Sequence, residues 1–247
     1  LNVAIFDAGS NGIAGTVEGP VVISATTVYS SAETGVALFA RSTFLAENST
    51  FSNNGAGGNG AGLTLDTQVS TIACGAADTY QLIGVTADNN NSYGVVLIAD
   101  VGSVVVRASQ ANGNRIHGLL VSAYDTCGAG VTIADTTANG NGTANPANGN
   151  GMLISSLNAA VTDSEANNNV CNGIEHQDPA PGGTNSLATA GGQGCGPTVV
   201  QAVAARSLAP SSGSGQLHPP FFVSTNTTAN ENGGDGYHLA FSDKITL

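Results

Sequence analysis

The sequence predicts an all-β solenoid, in which short strands stack rung upon rung along one axis. Three observations predict it. One residue pattern recurs seven times along the chain, each copy carries short apolar-x-apolar runs of period 2, and no window shows a convincing helical stripe. Strands this brief cannot bury a face alone, so the copies must stack on one another.

The pattern is an aliphatic residue, four others, a small or apolar residue, two others, Asn, three others, Gly, then apolar-x-apolar. Ile23, Val28, Ser31, Gly35, Val36 and Leu38 form a first, degenerate copy with Ser in place of Asn. Phe51 and Asn54 begin a second, which reaches Leu63 and Leu65 after the Gly-rich insertion Gly55–Gly62. Leu82, Ala87, Asn90, Gly94, Val95 and Leu97 are the third, and Val106, Ala111, Asn114, Gly118, Leu119 and Val121 the fourth. Ile133, Ala138 and Asn141 open the fifth, where Thr143–Asn150 is inserted before Gly151, Met152 and Ile154. Val161, Ala166, Asn169, Gly173 and Ile174 are the sixth, with His176 at the last apolar position. Ala229, Asn232, Gly236, Tyr237 and Leu239 close the series.

The anchors at 31, 54, 90, 114, 141, 169 and 232 lie 23, 36, 24, 27, 28 and 63 residues apart. A minimum near 23 with variable excess describes a constant core with elastic loops. The last gap holds either one very long loop or a hidden coil around Thr198–Ala205. Runs such as Val104-Val105-Val106 and Val131-Thr132-Ile133 are β-branched and free of Pro, as strands prefer. At about 4.8 Å per rung, seven coils would make a rod roughly 35 Å long.

Composition narrows the function classes. Charged residues are 9% of the 247, against roughly 25% in an average soluble domain, and 41% are apolar, which excludes a solvated disordered chain. With 17 acidic and 5 basic residues the net charge is −12, so nucleic acid, which needs clustered Lys and Arg, is not an expected partner. No apolar run approaches the ~18 residues of a membrane span, and no basic-then-apolar leader opens the chain. Beginning at Leu1 rather than Met, it reads as a processed chain or an excised fragment.

The unit Val106-x4-Ala111-x2-Asn114-x3-Gly118-Leu119-x-Val121 resembles the right-handed parallel β-helix repeat of the pectin-lyase-like superfamily. The resemblance runs from about Ile23 to Leu239. It implies one β-helix domain over 1–247, of about seven to nine coils, with an asparagine ladder and long loop insertions, the longest at about 177–220. Asn54, Asn90, Asn114, Asn141, Asn169 and Asn232 would stack at equivalent turns, their amides bonded up and down the column. Asn tolerates the left-handed backbone of such turns, and the Gly four residues on is expected to supply another permissive position.

The resemblance says little of activity, because the same scaffold hosts lyases, hydrolases, epimerases, adhesins and tailspikes. The acidic calcium sets and catalytic Arg or Lys of its uronate lyases, and the Asp, Gly-His-Gly and Arg-x-Lys sets of its hydrolases, are not intact here. Asn114-Arg115-Ile116-His117-Gly118 carries fragments of them in one turn, and His117 reads as an exposed turn residue. No Ser-His-Asp arrangement is recognisable.

Register offers one carboxylate group. Asp135 and Asp163 lie three residues before the repeat Ala in successive coils, with Glu165 two further on. Stacked carboxylates without nearby Lys or Arg need a cation, a shared proton or good solvation. These three are the candidate calcium ligands, and the candidate catalytic residues of an enzyme; otherwise they are solvated turn residues. No other cofactor is implied. A −12 surface would repel a polyanionic glycan, whereas a neutral one is not excluded.

The four cysteines have no zinc spacing. Cys74 and Cys127 share the context Cys-Gly-Ala and could bridge over the intervening coil; Cys171 would then meet Cys195. Disulfides would place the protein in an oxidising compartment, outside the cell or on its surface, with buried free thiols as the alternative. Of the sequons at Asn48, Asn90, Asn141 and Asn226, the second and third fall on ladder positions.

The chain opens with Leu1-Asn2-Val3-Ala4-Ile5-Phe6 and closes with Lys244-Ile245-Thr246-Leu247, neither a polar cap. Open edges invite pairing with another copy, and head-to-tail pairing yields filaments. The leading expectation is therefore a secreted or cell-surface structural protein that self-associates. The alternatives are a polysaccharide-active enzyme, lyase or hydrolase, or a glycan-binding adhesin, with Gly55–Gly62, Thr143–Asn150 and Gln177–Pro220 building a cleft.

Overall fold

The computed structural model describes residues 3–67, 79–99, 102–123, 130–142, 149–177, 221–235, 237–240 and 244–246. The first rung is β1 (Ala4–Phe6), β2 (Ile13–Val17) and β3 (Val21–Ser24), and the second β4 (Thr27–Tyr29), β5 (Val36–Ala40) and β6 (Phe44–Glu47). The third is β7 (Thr50–Ser52), β8 (Leu63–Asp66) and β9 (Thr79–Ile83). Thereafter one bridging residue replaces the first strand. Thr86 precedes β10 (Val95–Ala99) and β11 (Ser103–Arg107); Gln110 precedes β12 (Leu119–Ala123) and β13 (Val131–Ala134). Thr137 precedes β14 (Met152–Ser156) and β15 (Asn158–Thr162), and Glu165 precedes β16 (Ile174–Gln177) and β17 (Phe221–Thr225). Thr228 precedes β18 (Tyr237–Ala240) and β19 (Lys244–Thr246).

Every pairing between rungs is parallel, and each of the two long sheets holds eight strands. One sheet runs β2-β5-β8-β10-β12-β14-β16-β18 and the other β3-β6-β9-β11-β13-β15-β17-β19. The protein is a parallel β-helix. Its register is set by period-2 alternation: Val95, Leu119 and Met152 are in line, as are Leu97, Val121 and Ile154, and all are buried. Each such aliphatic side chain contributes about 1.5–3 kcal/mol by leaving water.

β15 pairs β17 and β16 pairs β18, and Asn169 bonds directly to Asn232. No rung intervenes, so the hidden coil considered around Thr198–Ala205 is overturned: the 63-residue gap is one insertion between β16 and β17.

Two columns of left-handed residues turn the chain. After each strand of the second sheet from β3 to β17 stand Ala25, Asn48, Gly84, Ala108, Asp135, Asp163 and Asn226, with φ between 46° and 63°. The next residue is a hydroxyl in every one of these rungs but that of Val85. Ser109 shows the pattern: its Oγ accepts the Val85 N–H at 3.2 Å and donates to the Arg107 carbonyl at 2.8 Å. Ser49 and Ser164 repeat it, closing buried main-chain N–H groups that the tight turn leaves unpaired.

The second turn has the form Ala-Asn-x-Asn, as in Ala111–Asn114 and Ala138–Asn141, with x left-handed. Two ladders flank x and run in opposite senses. In the inner one, the amide of Asn54 donates to Asn90, Asn90 to Asn114, Asn114 to Asn141, Asn141 to Asn169 and Asn169 to Asn232, at 2.9–3.1 Å. In the outer one, the N–H of Asn139 donates back to Asn112 at 2.8 Å and that of Asn167 back to Asn139 at 2.6 Å.

The repeat Gly has a different reason from the one expected. Gly94, Gly118 and Gly151 do not have positive φ. A Cβ on Gly118 would lie 2.7 Å from Asn141 Nδ2 and 2.6 Å from the Ala111 carbonyl, so the position is reserved for the neighbouring amide.

Candidate functional site

The residue just before the repeat Gly forms a further column, on the outside of the corner that feeds the first long sheet: Asn11, Thr34, Ala61, Tyr93, His117, Asn150, Asn172 and Asp235. Several of its side chains accept a main-chain N–H of the next rung. His117 Nδ1 accepts the Asn150 N–H at 3.0 Å, Asn150 Oδ1 accepts that of Asn172 at 3.0 Å, and Asn172 Oδ1 that of Asp235 at 2.9 Å.

Beside it runs an outward-facing strip of the sheet, with Val96, Leu120, Leu153 and Glu175 in register. Outward side chains of a solenoid are normally wet. Here Leu120, Leu153 and Glu175 are at most 3% exposed, and the two leucines pack with Tyr93 and Val96 in a cluster separate from the core. The Glu175 carboxylate takes the amide of Asn150 at 2.6 Å and that of Asn172 at 3.1 Å on the same oxygen. Tyr93 lies against His117 with ring centroids 5.5 Å apart.

Burial sets the protonation states. It pushes the His117 imidazole down to about 4, so the ring is neutral at ordinary pH. Because Nδ1 accepts a main-chain N–H, the proton sits on Nε2, and His117 offers a donor there rather than a base. Burial also raises the Tyr93 phenol, which therefore keeps its proton. A phenol O–H and an imidazole N–H thus stand in one column near an amide-held carboxylate. Such a set can hydrogen-bond sugar hydroxyls and move a proton.

His117 corrects the sequence reading: it is 2% exposed and bonded, not an exposed turn residue. The sequence pattern alone does not point to Tyr93, Asn150, Asn172 or Glu175. The available signal was their shared register, since three of these four and His117 flank the repeat Gly, and Glu175 puts a charge on an outward strand position. His176, by contrast, points into the core, where Nε2 lies 2.9 Å from the Ser156 carbonyl and the ring lies against Phe222.

Asp135 and Asp163 occupy successive rungs, both exposed and both left-handed at φ 49° and 48°. Asp163 accepts the Asn226 amide at 3.0 Å, and exposed Glu165 takes that of Asn139 at 3.5 Å. Among the described residues no three His, Cys, Asp or Glu side chains are grouped to hold a metal ion. Asn48 and Asn226 are exposed, whereas Asn90 and Asn141 are buried in the ladder.

Cys171 is disulfide-bonded. Cys74, Cys127 and Cys195 lie outside the described residues, and with them both expected pairings. Of the three loops expected to build a cleft, Gly55–Gly62 folds over the ladder corner, where a cavity of about 540 Å³ is lined by Asn11, Glu33, Thr34, Gly57, Gly58 and Asn59, with Gly9 and Ala32. Most of the other two loops lies outside the described residues.

No protein-family model and no curated protein matches the chain. Among solved structures it is similar to the A-module of an Azotobacter vinelandii mannuronan C-5 epimerase, at TM-score 0.58 and 17% identity, over 100% of this chain and 57% of that one. It also matches a pectate lyase at TM-score 0.44 and 18% identity, over 98% of this chain and 51% of that one. The chain thus spans little more than half the length of either. These identities speak to fold, and the chain is a parallel β-helix repeat protein. Neither likeness supports the self-associating filament subunit that led the expectations.

Proposed function

We propose that the chain is a polysaccharide-active β-helix module that handles its glycan along the outer face of the first long sheet, at the corner lined by Tyr93 and His117. The observation that carries this reading is the buried polar group Glu175–Asn150–Asn172–His117. A solenoid has no structural need of a carboxylate on an outward strand position, and desolvating one costs stability unless it is fully bonded. Perturbed, bonded titratable groups at one place are a mark of functional sites. The likeness in fold to an epimerase of mannuronan adds weight to a glycan without fixing which one.

In this reading half-buried Tyr93 meets the glycan, while His117 and Glu175, at most 2% exposed, set the position and polarity of that corner from beneath. The surplus of 17 acidic over 5 basic residues favours a neutral polymer over a polyuronate. Export to an oxidising compartment belongs to the same reading and is supported by the disulfide at Cys171.

The test incubates the full chain, with and without calcium, with neutral polysaccharides and with uronic-acid polymers. New reducing ends, unsaturated ends and C-5 inversion are read by chemical assay and NMR. Turnover abolished by Tyr93→Phe and by Glu175→Gln supports the proposal. Saturable binding without turnover would move it to a glycan-binding adhesin, and neither binding nor turnover across the panel overturns it.

A further inference from the structure

Asn–Gly pairs are chemically fragile. The Gly nitrogen can attack the Asn side-chain carbonyl carbon, forming a five-membered succinimide and expelling the amide as ammonia. Water then opens the ring to aspartate or isoaspartate, so the step needs only water. A Gly N–H held in a hydrogen bond must first be released by local opening, and the rate then follows that opening.

The repeat is rich in such pairs: Ala-Asn-Gly-Asn forms the turn at Ala111–Asn114 and Ala138–Asn141, and at several rungs Asn also stands directly before a Gly at the corner. The stacked rungs hold their Gly nitrogens. Gly55 N–H donates to the Ser31 carbonyl at 2.8 Å, Gly113 to Asn139 at 2.9 Å, Gly140 to Asn167 at 2.9 Å, Gly142 to Asn114 at 2.9 Å and Gly233 to Asn169 at 2.8 Å. The pairs at Asn11, Asn150 and Asn172 are held likewise, through Gly12, Gly151 and Gly173. Among the described residues one Asn–Gly pair departs from this rule. Asn59 is exposed at the tip of the Gly55–Gly62 insertion, and Gly60 N–H makes no hydrogen bond. Gly57 of the same insertion reaches the Ala32 carbonyl at 2.8 Å, whereas the Gly60 N–H reaches none.

We infer that, among the described Asn–Gly pairs, Asn59 is the site of spontaneous succinimide formation in the folded protein, and that rung stacking shields the others. The product has a local consequence. Asn59 lines the same groove as Glu33, whose carboxylate accepts the Ser10 hydroxyl at 2.7 Å, so conversion puts a second carboxylate into that groove.

The experiment ages the purified folded chain in mild alkali, separates acidic isoforms by ion exchange, and maps aspartate and isoaspartate by peptide mass spectrometry. The peptide carrying Asn59 is expected to convert at least about tenfold faster than those carrying Asn54, Asn112, Asn139, Asn141 or Asn232. In denaturant these rates should converge, because shielding is a property of the fold. The Asn59→Gln variant, which cannot close the five-membered ring readily, should retain the parent isoform over the same period. Equal rates at Asn59 and the ladder pairs in the folded chain, or conversion at a ladder pair first, overturns the inference. Neither result bears on glycan activity.

Discussion

Asn169 Oδ1 accepts both the main-chain N–H and the side-chain amide of Asn141, each at 2.9 Å. The same doubled contact joins Asn114 to Asn141, so one buried oxygen serves two donors at each rung. Asn141→Ala removes the acceptor of two buried donors and one donor of its own. The expected loss is about 3 kcal/mol, read as a lower midpoint in urea unfolding. Asn139→Ala, in the half-buried outer ladder, deprives the Asn167 N–H and drops a long, exposed amide contact to Glu165, and should cost about 1 kcal/mol or less. Equal losses would mean the inner column has no special weight.

Gly118→Ala tests whether the repeat Gly is kept for space. The new Cβ would meet the Ala111 carbonyl at 2.6 Å and the Gly151 carbonyl at 2.7 Å, backbone atoms that cannot swing aside. A loss of about 3 kcal/mol is expected from such overpacking. Gly15→Ala, with nothing within 4 Å of its Cβ, should be neutral or slightly stabilising in the same thermal melt.

The path of the chain was legible because one periodicity repeats across many rungs: Val104 and Val106 point in, Val105 out, and Asn114 marks each corner. Stacking multiplies a weak local signal, so even degenerate copies such as that of Ser31 fall into place. The outer cluster was not legible for the opposite reason. Tyr93, His117 and Glu175 each occur once in their columns, and Asn150 shares its own with residues as different as Thr34 and Ala61. Their significance lies in contacts between rungs 22 to 33 residues apart and in the burial of an outward face. The hydroxyl ladder sat between, a Ser or Thr after each left-handed residue, masked by Val85.

Asp135 and Asp163 stand in line as stacked carboxylates, yet their column also contains Ala25 and Ala108 at φ 46° and 49°. What that position asks for is a left-handed backbone, which costs a residue with a Cβ about 1–2 kcal/mol. Ala108→Gly should therefore raise stability by about 1 kcal/mol, and Asp135→Gly by less, since Asp tolerates the region better. Asp135→Val should be destabilising by about 2 kcal/mol, as branching worsens the clash. Differential scanning calorimetry of the three variants orders them, and a stabilising Val would refute the backbone reading.

Acid should weaken the protein through its buried imidazoles. His117 and His176 are both lowered to about 4 by burial, below the 6.5 of a solvated ring. Between those values the unfolded chain takes up protons that the native state refuses. Stability therefore falls as pH drops from about 6.5 toward 4 and levels once the native rings also protonate. A depression of this size corresponds to roughly 3 kcal/mol for each ring over that window. His117→Asn separates titration from structure, because Asn150 and Asn172 already show that an Asn in this column accepts the next N–H through Oδ1. The variant should keep its stability near neutral pH and lose about half of the slope between pH 6.5 and 4, the remainder belonging to His176. Urea titrations at a series of pH values measure it. An unchanged slope would mean that His117 takes up its proton without resistance in the folded chain, and is wetter than its burial implies.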